Sequence, residues 1–382
     1  MPPYAQIVIG PPGSGKSTYC NGMNQFLSSI GRYSMIINLD PANDQLPYDV
    51  TIDIRDYITL EEIMDETNLG PNGGLVFAMQ TFKESIEEFI SEVRLLIKRN
   101  HKAESAYLIF DCPGQVELYT NNDIVSQIFR ILQKELDFRL VVVSLTDSIN
   151  IMKPSSYISS LLLALRSMLQ MDLPQINVFS KIDLLKGYIE QERYGRVKPP
   201  KDKGTTTDDG LPFSLEYYTQ VQDLKYLLPY LEVEENNTRT NFFKHKYYKL
   251  NEAISDLIED FSLLSFEVLS IEDKNSMISL LAIIDRANGY SMGSNELGND
   301  TIWEDAIRQS SVANFLQDIN IHERWVDEKE KYDEVERIRR EKQFKEATNN
   351  EELLNQTIDP EKDWEDALKK WETSTGKPAF KE

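Results

Sequence analysis

The chain has 382 residues, enough for one large α/β domain with an appendage. Its 63 acidic side chains against 41 basic ones leave a net charge of −22, which argues against a nucleic-acid binder working through a broad basic surface. Two cysteines, Cys20 and Cys112, make neither a disulfide framework nor a metal site; both lie in apolar patterns and suit packing in a reducing compartment.

The first apolar run, Tyr4–Ile9, reads as a buried strand. It runs into Gly10-Pro-Pro-Gly-Ser-Gly-Lys-Ser17, and a helical pattern follows over Ser17–Ile30. Strand, glycine-rich loop and helix in that order make a phosphate-binding loop. Glycines let backbone N–H groups curl round phosphate oxygens, and the helix points its positive end at the same anion. Gly13, Ser14, Gly15, Lys16, Ser17 and Thr18 are the candidate phosphate contacts. Lys16 brings a positive charge to the terminal phosphates, and the Ser17 hydroxyl suits a Mg²⁺ ion. The competing reading, a glycine turn that binds nothing, does not account for the Lys-Ser ending.

A second strand over Ser34–Asn38 ends in Asn38-Leu-Asp40-Pro-Ala-Asn43-Asp44. Asp40 either meets a metal through water, acts as base on the attacking water, or forms an Asp-Pro turn. Thr59-Leu-Glu-Glu62 reads as a capping box, and Gly70-Pro71-Asn72 by itself as a turn. Over Thr81–Asn100, Phe82, Ile86, Phe89, Ile90, Val93, Leu96 and Ile97 make one apolar helical stripe. The strand Tyr107–Phe110 leads to Asp111, a carboxylate set to hold Mg²⁺ opposite Ser17. Cys112-Pro113-Gly114-Gln115 then suits a turn that senses the γ-phosphate, with Gln115 able to orient water.

Strands are expected at Arg139–Ser144 and Gln175–Ser180. After the latter, Ser180-Lys181-Ile182-Asp183 resembles the guanine-reading [NT]-K-x-D pattern, with Ser180 in place of asparagine. A carboxylate accepts from the N1–H and the exocyclic amine of guanine, whereas adenine would leave it unpaired. Lys181 would lay its aliphatic stem across the base. Tyr188–Gly210 is breaker-rich and reads as a loop; helical patterns resume at Leu215–Leu231 and Phe242–Phe261 as an inserted lobe of about 186–262. A last strand is expected at Phe266–Ser270.

Alternating strands and helices imply a doubly wound, mostly parallel sheet, a phosphate-loop fold over residues 1–295. Residues 296–382 read as a charged, helical or partly disordered extension, with an exposed helix over Glu328–Thr348. All four tryptophans, Trp303, Trp325, Trp364 and Trp371, lie in the last quarter, and Trp303-Glu-Asp-Ala306 recurs as Trp364-Glu-Asp-Ala367. The repeat is either a coincidence of two helix starts or a sign that the tryptophans dock. No apolar run approaches a membrane span and no basic-then-apolar leader opens the chain, so a soluble cytosolic protein is expected.

Taken together, Gly10–Thr18, Asn38-Leu-Asp40-Pro-Ala, Gly70-Pro71-Asn72, Asp111-Cys-Pro-Gly-Gln115 and Ser180-Lys-Ile-Asp183 resemble the motifs of the GPN-loop GTPases. The resemblance covers residues 4 to 290, including Tyr217-Tyr-Thr-Gln-Val-Gln-Asp-Leu and Ile284-Asp-Arg-Ala-Asn-Gly289. It implies Mg²⁺-dependent hydrolysis of GTP to GDP, in a homodimer or a heterodimer with a sister protein of the family. It further implies that Asn72 reaches the partner's nucleotide site, where its amide stabilises the transferring phosphate. A role in RNA polymerase II and III assembly and nuclear import comes from the resemblance alone, with a cytosolic protein that shuttles to the nucleus. A nucleoside-kinase-like phosphotransferase is one rival reading, although no arginine-rich lid segment is seen; a binding module with structural GTP is another.

Overall fold

The computed structural model describes residues 3–43, 45–99, 107–195, 211–238, 247–290, 321–338 and 341. Seven parallel strands form one sheet in the order β3-β2-β4-β1-β5-β6-β7. They are β1 (Tyr4–Ile9), β2 (Ser34–Asn38), β3 (Ile52–Asp53), β4 (Tyr107–Asp111), β5 (Arg139–Asp147), β6 (Gln175–Ser180) and β7 (Phe266–Val268). The inner strands are mostly apolar because helices cover both faces, and the polar residues they do bury, such as Gln6 and Asn38, are hydrogen-bonded.

Side chains of β1 divide between the two faces. Ala5, Ile7 and Ile9 join a cluster with Leu108, Phe110 and residues of α3 (Pro71–Glu84), α4 (Ile86–Arg99) and α6 (Ile124–Leu136). Val8 faces the other way, into a cluster with Tyr107, Ile109 and residues of α1 (Lys16–Ser29) and α12 (Lys274–Asn288). A third cluster joins α7 (Pro154–Met171) and α8 (Leu185–Gly195) to the inserted helices. Those are α9 (Leu215–Gln220), α10 (Leu228–Thr238) and α11 (Tyr248–Phe261). Two shorter helices, α2 (Leu60–Thr67) and α5 (Glu117–Thr120), complete the set named here.

Several boundaries differ from the sequence expectation. The stripe expected as one helix over Thr81–Asn100 is split, with Ser85 between α3 and α4. The Ser85 hydroxyl donates to Thr81 O (2.9 Å), yet the apolar register carries across the break and Phe82 stacks edge-on to Phe89. β5 runs three residues past Ser144, to Asp147. β3 has only two residues, too few for any periodic signal, and pairs Ile37 with Ile52. The segment read as a loop from Tyr188 is helical as far as Gly195; residues 196–210 lie outside the described residues. Thr59 caps α2, its hydroxyl accepting from Glu62 N (3.4 Å), which is one of the two bonds of the expected capping box.

The chain divides into two compact units, Met1–Val326 and Asp327–Glu382. His322 and Trp325 are buried in the first, where His322 Nδ1 accepts from Leu215 N (3.1 Å) and Trp325 packs in the lobe cluster. In the second unit, residues 329–338 are helical, with Lys329 and Asp333 paired one turn apart. Trp303, Trp364 and Trp371, and the remainder of the expected charged helix, lie outside the described residues.

Candidate functional site

Sheet topology assembles the site. β4 lies beside β1, with Asp111 opposite Val8, so a carboxylate a hundred residues away in sequence ends next to the phosphate loop. Three glycines of that loop have positive φ, namely Gly10, Gly13 and Gly15. Gly10 cannot be anything else: a Cβ there would stand 2.4 Å from Leu145 O. Lys16 begins α1 and is buried, its Nζ donating to Pro11 O (3.3 Å). Ser14 is buried, Ser17 is half-buried, and Thr18 is exposed on the outer side of the helix start.

Two carboxylates face this lysine. Burial raises the pKa of Asp111 most, while the bond from Tyr48, the nearby Ser17 hydroxyl and the charge of Lys16 pull it back. Burial likewise raises Asp40, against N–H bonds from Ala42 and Gly114 and the charges of Lys16 and Arg55. Lys16 is lowered by burial, against Asp111 and Asp40. Each of the three charges is thus opposed by desolvation and supported by the other sign.

Among the described residues, three of the seven buried side-chain polar atoms without a hydrogen-bond partner belong here: Ser14 Oγ, Asp111 Oδ1 and Gln115 Oε1. Buried polar atoms are normally paired, so this concentration marks a place built for something else. A hard divalent cation takes oxygen ligands and completes its shell with water and phosphate. Asp111 Oδ1 beside the Ser17 hydroxyl fits that demand, and a cation would supply positive charge where a buried and a half-buried carboxylate face one lysine.

On the other side of the loop, Ser180 and Lys181 close over it. The Ser180 hydroxyl donates to Ser14 O (2.7 Å) and lies 3.2 Å from Thr146 O, so it braces the phosphate loop from below. Lys181 has a left-handed backbone, φ 57°, and its Nζ donates to Gly13 O (2.6 Å) and to Asp147 Oδ2 (2.7 Å). Its Cε would lie 3.7 Å from a Cβ at Gly15, so the stem runs along the loop. Asp183 sits in the 3-10 turn Ile182–Leu184 and is half-buried.

Gly70, Pro71 and Asn72 are not a free turn. Gly70 is the N-cap of α3, Pro71 its first helical residue, and Gly74 N donates to Gly70 O (2.8 Å). Proline suits that place because the first turn needs no N–H from it. All three residues are exposed, as are Leu69 just before them and Phe77 farther along α3. Asn72 makes no side-chain hydrogen bond to the phosphate loop among the described residues. The structure therefore brings together Lys16, Ser17, Asp40, Asp111, Gln115, Ser180 and Lys181, and leaves Asn72 outside that group.

Residues to which the sequence reading gives no role also take part. Asp147 pairs with Lys181, and its signal was the one used for Asp111, a carboxylate ending an apolar strand; β5 was ended too early to show it. Tyr48 donates to Asp111 Oδ2 (2.7 Å), and Asn43 Nδ2 lies 3.4 Å from Ser17 Oγ. Neither has a sequence signal, since both come from an irregular polar stretch between β2 and β3.

Comparisons with known proteins cover from three quarters to nearly all of the chain. A family profile described as a conserved hypothetical ATP binding protein matches residues 8–290. GPN-loop GTPase 2 of Saccharomyces cerevisiae is 52% identical over 377 residues, 98% of each chain. GPN-loop GTPase 2 of Schizosaccharomyces pombe is 46% identical, over 87% of this chain and 95% of its own. A GTPase of Pyrococcus abyssi, crystallised in apo form, superposes with a TM-score of 0.53 at 22% identity, over 75% of this chain and 98% of its own, and so supports the fold. Identity on that scale extends the resemblance from a handful of short motifs to nearly the whole sequence, and the chain belongs to the GPN-loop GTPase family.

Proposed function

We propose that this site binds GTP with Mg²⁺ and hydrolyses it to GDP, and that the protein works as a dimeric, nucleotide-gated assembly factor. The observation that carries the chemistry is the unpaired, buried Oδ1 of Asp111 beside Ser17 and Lys16 at the mouth of a glycine loop. Ser17 and Asp111 would hold the ion, which when bound neutralises phosphate charge. Lys16 and the backbone N–H groups of Gly13 to Ser17 would bind the phosphates. Gln115 and Asp40 are the groups placed to orient or deprotonate the attacking water.

The family profile speaks of ATP and the relatives' names of GTP. The half-buried Asp183 favours guanine, because only guanine offers it two donors along one edge. Exposed Leu69 before the triplet and exposed Phe77 on the helix it opens suit a surface that a second subunit covers, which fits the family's use of the triplet in trans, in a homodimer or with a sister GTPase. Assembly and nuclear import of RNA polymerase II and III, and a cytosolic protein that shuttles to the nucleus, follow the resemblance. Calorimetric titration with GTP and ATP, each with and without Mg²⁺, tests the core of the reading. Equal affinity for both nucleotides would remove guanine selection, and indifference to Mg²⁺ would remove the ion.

A further inference from the structure

We propose that Tyr48 is a positioning residue that sets the Asp111 carboxylate for the divalent cation. The inference rests on the Mg²⁺ reading above and adds to it the part that aims the ligand. A carboxylate at a strand end can turn about its last bond, and only an outside contact decides which oxygen faces the pocket. Here the Tyr48 hydroxyl donates to Oδ2 (2.7 Å), and Oδ1 is left buried without a partner. The donor is itself held. The Tyr48 ring is buried in the cluster that contains Val8, Tyr19 and Cys20. Its loop is pinned at both ends by backbone bonds, Leu39 N to Asp111 O (2.8 Å) and Thr51 N to Ile36 O (2.9 Å).

The same loop reaches the other candidate ligand. Asn43 Nδ2 lies 3.4 Å from Ser17 Oγ, and Asn43 is steadied by Arg55, whose guanidinium donates to Asn43 O (2.8 Å). Arg55 is in turn held by Asp53, which accepts from Asn38 Nδ2 (2.9 Å). One loop thus touches both side chains expected to meet the ion, at Asp111 through the carboxylate oxygen turned away from it and at Ser17 through the hydroxyl. Groups that orient metal ligands commonly matter to metal affinity by ten- to a hundredfold.

The test uses the full chain loaded with GDP, with Mn²⁺ as a paramagnetic stand-in for Mg²⁺ and free Mn²⁺ read by electron paramagnetic resonance. Tyr48→Phe removes only the hydroxyl. It is expected to weaken Mn²⁺ binding about tenfold, while GDP affinity measured in EDTA stays within about twofold. Unchanged Mn²⁺ affinity overturns the proposal. So does an equal loss of GDP affinity in EDTA, which would make Tyr48 a packing residue. If Tyr48→Phe does not fold, Tyr48→Gln and Tyr48→Leu replace it, similar in bulk and different in the donor, and tighter Mn²⁺ binding by the glutamine variant is the supporting result. A wild-type GDP complex that takes up no Mn²⁺ would instead bring down the metal reading itself.

Discussion

The phosphate loop and the Gly-Pro-Asn triplet are both short and both rest on glycine and proline, yet the protein treats them in opposite ways. Around the phosphate loop, glycine backbone, Lys16, Asp40 and Asp111 are brought together from β1, β2 and β4 and desolvated. The triplet opens α3 with its three residues exposed. Burial makes charges expensive and electrostatic contacts strong, so the first region is poised to bind highly charged phosphate. An exposed amide at a rigid helix start costs nothing to hold and becomes useful only when another surface meets it. The difference teaches that the groups around the phosphate loop are gathered within the chain, while the triplet is presented outward.

The severest test of the inner half is Gly10→Ala. The new methyl would meet Leu145 O at 2.4 Å and Ser14 Oγ at 2.8 Å. GDP binding should fall below detection by calorimetry, and the unfolding free energy should drop by about 1–3 kcal/mol in chemical denaturation. Normal binding by that variant would mean that the loop does not hold phosphate in this geometry.

The outer half is broken by Asn72→Ala. Loss of one donor to the transition state should lower kcat roughly ten- to a thousandfold and leave GTP affinity nearly unchanged. Mixing that variant with Lys16→Ala should restore turnover, because one site in the mixed dimer then has both an intact loop and an intact triplet. Subunits that exchange without recovering activity would place Asn72 in its own subunit, and the contrast between the two regions would fall.

Asp183→Asn sharpens the base side. Its loss should cost GTP affinity about 2–4 kcal/mol, the scale of hydrogen bonds to a charged group. Xanthosine triphosphate, which carries an oxygen where guanine has its amine, should gain relative to GTP in competition titrations. GTP affinity equal to that of wild type would remove Asp183 from base recognition.

The smallest effect concerns pH. Burial is the main cause that raises the Asp40 carboxyl. A carboxyl raised above its unfolded value lowers stability: the cost is absent below the ordinary carboxylate pKa, grows as pH rises to the folded value, and persists above it. Asp40→Asn removes the cost. The nucleotide-free variant should therefore unfold a few degrees above wild type at neutral pH, with the gap closing as pH falls through the carboxylate range. Asn72→Ala, made at an exposed site, should show no such pH-dependent gap. A constant offset for Asp40→Asn would mean that its charge is not what is being removed.

Much of this was legible in the sequence, and the limits are specific. β1, β2 and β6 have the bounds their apolar runs suggest. β5 was cut short at Ser144 because Leu145-Thr-Asp147 begins to look polar; its burial comes from β6 pairing along it, which no local pattern records. The break at Ser85 was hidden because its flanking apolar residues keep the helical spacing. Gly70-Pro71-Asn72 read as a turn because glycine and proline punctuate loops as readily as they start helices.

The sequence by itself determined the phosphate loop, the alternation of strand and helix, and the family. These are written in contiguous residues, and backbone N–H groups, glycine φ angles and apolar periodicity act over a few positions. Only the tertiary structure decided which distant groups meet: Asp111 beside Val8, Lys181 between Gly13 and Asp147, Tyr48 on Asp111. Those meetings depend on strand order and register, which are settled by how the whole sheet buries its two faces. A side chain's partner across the sheet is therefore a property of the packing and leaves no mark in the residues next to it.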